Sequence, residues 1–169
     1  MTDEDVLGEI MTREGGFVND PLDKGGATNH GITQAALSAW RGKPVSVEDV
    51  KALGVAEARA ILRDRYLAKP GIDKLASPEL RAAVLDWSVN SGPVNAIKGL
   101  QRAVDVPEDG VMGPLTVRTA NAENGRKVAM LVHCQRLKFL GRLVTNNPTQ
   151  AKFAAGWLNR VASQMETLA

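Results

Sequence analysis

A single cysteine, Cys134, is all the thiol chemistry that 169 residues contain. An internal disulfide is therefore excluded. Cys134 lies in an apolar-rich helical run and reads as a buried thiol, not a nucleophile. Two histidines, with no ligand spacing between them and that cysteine, do not make a metal site, so neither metal nor cofactor is expected. No run of about 18 apolar residues is present, which argues against a membrane span and a stable membrane association. The opening MTDEDVLGEI has neither a basic n-region nor an apolar h-region, so no signal peptide is expected and the chain reads as cytosolic when made. Aromatic residues are scarce at 4%, and the net charge is only +2. That charge is too small to argue for nucleic acid, yet it suits an anionic polymer. What remains is an ordinary globular composition, 44% hydrophobic and 24% charged, in a chain long enough to bury a sizeable core.

The hydrophobic pattern is helical nearly throughout. Val6, Leu7, Ile10 and Met11 form the apolar stripe of a helix over 3–14, stopped by Gly15 and Gly16. Residues 17–32 mix Gly, Asn and Asp with short apolar fragments and read as a small irregular hairpin. Thr33 is placed to cap a helix over 34–41, and Ser46 with Asp49 forms a capping box for 47–53. Helices follow over 55–67, 78–91 after the Ser77–Pro78 start, 94–104, 114–122 and 124–145. The last opens at Asn147–Pro148, with Phe153, Trp157, Val161 and Met165 on one face. Trp40 and Trp157 read as core anchors, and His133 as structural. Together these features predict a mainly α fold in one domain, 1–169, with a small β-hairpin near the N-terminus.

Glu14 continues the row Val6–Ile10–Glu14 at spacing four, so it ends a helix on the stripe that faces the core. Partial desolvation and the negative end of the helix dipole both disfavour its anion and raise its pKa. A carboxyl tuned that way suits a general acid. Asp23, in a polar Gly-rich loop, should stay ionised. An uncharged Glu facing an ionised Asp is the arrangement of glycoside hydrolysis. The Thr28 hydroxyl can help hold a water beside Asp23, which favours inversion. Asn29 offers an amide that either binds a sugar or closes a turn. A surface glutamate and a set of Asx turns are the alternatives. A phosphate loop is excluded, because the stretch lacks the GK[ST] ending and follows no strand.

The stretch EGGFVNDPLDKGGATNHGIT, Glu14–Thr33, closely resembles the signature of glycoside hydrolase family 108, whose members include phage endolysins with N-acetylmuramidase activity. RDRYLAKPGIDKL, LDWSVNSGP and LQRAVDVPEDGVMGPLT resemble the helical half of that family, so the likeness spans about residues 5–165. It implies a lysozyme-like helical fold, with 1–91 as the catalytic lobe and 92–169 as a peptidoglycan-binding segment. It further implies cleavage of the β-1,4 bond after N-acetylmuramic acid in bacterial peptidoglycan, with Glu14 as the acid. The Glu, Asp, Thr order is similar to that of phage-type lysozymes, with a gap from Asp23 to Thr28 one residue shorter. His30 departs from the family's aromatic at that position and either stacks on a sugar or packs. A phage lysin of this kind acts as a monomer and waits in the host cytoplasm for a holin-type pore. The rivals are a lytic transglycosylase cutting the same bond and a non-catalytic wall-binding protein or secretion activator.

Further along, Asp86 and Asn90 lie four apart on one side of the 78–91 helix. They either bind each other and nearby backbone or contact the N-acetyl groups of a substrate. Tyr66, the one tyrosine, faces the groove or serves the fold.

Overall fold

The computed structural model describes residues 2–19 and 26–169, with Arg13 and Glu14 described by their backbone alone. Two compact units emerge, Glu4–Lys69 and Pro70–Ala169, with Asp3 belonging to the second.

The first unit begins with α1 (Asp3–Glu14). Its stripe of Val6, Leu7, Ile10 and Met11 is buried as the periodicity predicts. A two-stranded antiparallel ribbon follows, β1 (Thr28–Asn29) and β2 (Ile32–Thr33), then α2 (Gln34–Arg41), α3 (Val47–Lys51) and α4 (Val55–Arg63). The Thr33 hydroxyl caps α2 by accepting from the Ala36 N–H at 3.2 Å. The Ser46–Asp49 capping box opens α3, both of its bonds being present. Ile32, Leu37, Val50, Ala58, Ile61, Leu62 and Leu67 close this unit's core.

The helix expected over 55–67 changes winding at its end. After Arg63 the backbone widens into a π turn, Asp64–Ala68, where the Lys69 N–H reaches the Asp64 carbonyl at 2.9 Å. Lys69–Pro70–Gly71 then ends it, with Gly71 in the left-handed region at φ 77°.

The second unit is built on α5 (Pro78–Ser91), whose residues Ala82–Ser88 are all buried. A helix apolar nearly all round has to be enclosed, and α6 (Pro93–Ala103), α8 (Gly125–Asn146) and α9 (Ala151–Glu166) belong to the same unit, with α7 (Pro114–Ala122). At Gly99 of α6 an added Cβ would overlap the six-membered ring of Trp87, which is fully buried on α5. The same indole meets Phe139 of α8 at 5.8 Å between centroids. Asp3 joins the unit through an ion pair to Arg81 at 2.7 Å.

Four expectations are corrected. Trp40 is no core anchor: it is 41% exposed, because the buried position of α2 is Leu37 and Trp40 stands at the helix edge. The apolar face of α9 is buried only in its C-terminal half, at Val161 and Gln164. Phe153 is exposed and rests on a half-buried Trp157 at 5.8 Å. Pro148 starts a 3-10 turn capped by Asn147, and α9 begins only at Ala151. Cys134 is half-buried rather than enclosed.

Candidate active site

The first unit carries the residues singled out around the Glu14 stretch. α1 ends at Glu14, and Gly15 takes φ 74°, which turns the chain off the helix axis. Three residues later Val18 bridges Thr28. Each donates its N–H to the other's carbonyl at 2.8 Å. Thr28 in turn pairs with Thr33 in the ribbon register. Thr28 is therefore the central rung of a three-segment ladder, and that ladder brings it back to within four residues of the helix end. Asp23 lies outside the described residues.

The ribbon turns through His30 and Gly31, both at positive φ, 52° and 76°. A two-residue hairpin with positive φ at both central positions is the primed turn that matches strand twist. His30 thus holds a left-handed corner usually given to Asn, Asp or Gly, and is half-buried. The Asn-His-Gly triplet carries this turn inside the hairpin expected over 17–32.

Asn29 is 5% exposed and donates both amide protons inward, to the carbonyls of Val50 at 3.0 Å and Lys51 at 3.1 Å. Those carbonyls end α3 and need partners from outside the helix. The Asn29 amide is thus engaged at the end of α3 rather than closing a local turn. Lys51 also lies 6.0 Å over the Phe17 ring, tying the segment after Glu14 to the same helix end. Tyr66 is half-buried in the π turn, with the Arg65 guanidinium 5.3 Å from its ring centre.

Asp86 and Asn90 lie in the second unit. Asp86 is 1% exposed, and its carboxylate accepts from Arg136 of α8 at 2.7 Å and from Arg160 of α9. Burial pushes its pKa up, but the two guanidiniums outweigh burial and hold the carboxyl below the usual range. A carboxylate so occupied has no face left for a sugar, and the internal reading applies. Asn90 is exposed and donates to the Asp86 backbone carbonyl at 2.8 Å, not to its carboxylate. Sequence reasoning missed Arg136 and Arg160; cations inside an apolar helical stripe are the signal that points to such a pair. Burial, then the nearby Arg136, drives the His133 pKa down to about 4, so His133 is neutral. Among the described residues no group of His, Cys, Asp and Glu could hold a metal ion, and no helix is long and apolar enough to cross a membrane.

Comparison with known proteins bears on both halves of the chain. Residues 7–92 match the family model described as glycosyl hydrolase 108, and residues 95–162 match a predicted peptidoglycan domain. The two matches meet at the Gly92–Pro93 break between α5 and α6. Among solved structures the chain is similar to SagA of Brucella abortus, at 36% identity and a TM-score of 0.77. That match covers 98% of this chain and 92% of the other. None of the curated proteins matches. With a family model over half its length and a 36% identical structure over nearly all of it, the chain belongs to glycosyl hydrolase family 108, a lysozyme-like glycoside hydrolase that acts on peptidoglycan.

Proposed function

We propose that the protein hydrolyses the β-1,4 bond between N-acetylmuramic acid and N-acetylglucosamine, with Glu14 as general acid. The observation that carries this reading is the backbone around Glu14. The helix ends on it, Gly15 turns the chain, and Val18 bridges Thr28, the two residues that flank Asp23 in sequence. A general acid at this position must carry its proton when the substrate binds. Glu14 gives that proton to the departing glucosamine oxygen as the C1–O bond breaks. A water held by Asp23 and Thr28 attacks C1 from the opposite face, and its proton passes to Asp23. This makes the reaction inverting. Neither Asp23 nor the Thr28 hydroxyl is needed by a transglycosylase, in which the muramic hydroxyl itself attacks.

In this reading the whole chain acts as one monomeric catalytic domain. Its biological setting is that of a phage endolysin, held in the host cytoplasm until a holin-type pore releases it to the wall, where its activity is lytic and antimicrobial.

The test is mass spectrometry of purified peptidoglycan digested by wild type and by Glu14→Gln. Hydrated, reducing muramic ends from wild type, lost in the variant, are expected. Anhydro ends would make the enzyme a transglycosylase. No glycan cleavage by folded protein would leave a wall-binding role.

A further inference from the structure

The exposed Trp40 stands at the edge of a groove of about 470 Å³ within the first unit, lined by Thr33, Ala36, Ala39, Trp40, Arg65 and Lys69 among others. That volume falls in the range of small-ligand sites, roughly 300–1,000 Å³. The wall from α2 is small and apolar, with one large flat aromatic at its end. The opposite wall is the π turn, and π turns recur at functional sites. There Lys69 is engaged by Asp64 at 2.7 Å. Arg65 is exposed and lies over the Tyr66 ring. An exposed guanidinium beside an aromatic ring offers N–H donors that a carboxylate can take in a fork.

Thr33 links the groove to the candidate active site. It opposes Thr28 directly in the ribbon, and directly opposed residues project from the same face. The groove therefore begins one strand away from Thr28, in the same compact unit.

We propose that this groove is a substrate subsite for one sugar of the glycan strand and its attached peptide. The indole of Trp40 stacks on the apolar C–H face of the pyranose ring. The alanines of α2 let the ring approach closely, and Arg65 receives a carboxylate of the peptide stem. An uncharged glycan explains the aromatic but not the arginine; a strand that carries peptides accounts for both. The proposal rests on the peptidoglycan-hydrolase reading for its ligand class, but not on Glu14.

The test uses two variants of the full chain, Trp40→Ala and Arg65→Gln, each first shown to melt like wild type. Binding is titrated with soluble peptidoglycan oligomers that carry stem peptides, and with chitin oligomers, which carry neither stem nor carboxylate. KM and kcat are measured on intact peptidoglycan. Trp40→Ala is expected to weaken binding of both ligands about tenfold and to raise KM while leaving kcat nearly unchanged. Arg65→Gln is expected to weaken only the stem-bearing ligand. Conservative Trp40→Phe should recover most of the binding. Cleavage with unchanged affinity in Trp40→Ala overturns the subsite and leaves the muramidase reading standing. Trp40-dependent binding by a wild type that cuts nothing upholds the subsite and removes that reading. Equal losses for both ligands in Arg65→Gln would overturn the assignment of the peptide stem.

Discussion

Replacing Asp86 by Asn keeps its shape and removes the charge that two arginines share. Asp86 is 1% exposed and the Arg136 side chain 4%, so neither can recover its solvation by a small movement. Arg160, at 16%, can turn partly to water. Removing one partner of a buried pair leaves an uncompensated charge and costs about 3–5 kcal/mol. For a chain of this size, each kcal/mol lowers Tm by roughly 2–4 °C, so a fall of roughly 6–20 °C is expected. Adding Arg136→Met to an Asp86→Leu change removes both buried charges and should regain much of that loss, since apolar replacement of a buried pair is often neutral or stabilising. The pair also has a pH signature. The carboxyl is held below its usual range, so its contribution is present above the unfolded pKa, near 3.8, and is lost as pH falls through the folded value. Asp86→Asn should flatten that acid limb. The assay is thermal melting by circular dichroism, with peptidoglycan cleavage measured well below both midpoints. A variant that melts within about 2 °C of wild type yet loses activity would refute the structural role and return Asp86 to the substrate.

Two further perturbations test the packing of the helical unit. Gly99→Ala gains about 1 kcal/mol of helix propensity but drives a methyl group into the Trp87 ring, and overpacking costs about 1–3 kcal/mol or more. A net loss of Tm with a changed near-UV tryptophan band is expected, and an increase in Tm would refute the close approach of α5 and α6. His133 is held neutral in the fold at a pKa of about 4, against 6.5 for the free side chain. The unfolded chain then takes up the proton first as pH falls. Stability is full above pH 6.5 and declines towards pH 4, by up to about 3 kcal/mol. Urea unfolding of wild type and His133→Gln across that range should show the slope in the first and its loss in the second; equal slopes would exclude His133 as the cause.

The local code was written plainly in the chain. The α1 stripe, the Thr33 and Ser77 caps, the Ser46–Asp49 box, the prolines opening α5 and α7, and the glycine stop after Glu14 all act within a few residues. Each could be read without knowing what lies opposite. The Glu14–Thr33 motif made the family legible for the same reason. What only the tertiary structure decided is which polar residues turn inward and which aromatics stay out. Asp86 meets Arg136 and Arg160, partners 50 and 74 residues away, and no periodicity carries that information. Asn29 finds its acceptors 21 and 22 residues on, at the end of α3. Trp40 and Trp157 show the helical spacing of core residues, yet a side chain at the right angle is buried only where another element arrives to cover it. Periodicity fixes the angle on the helix; the packing of the other elements decides whether anything is there to meet it.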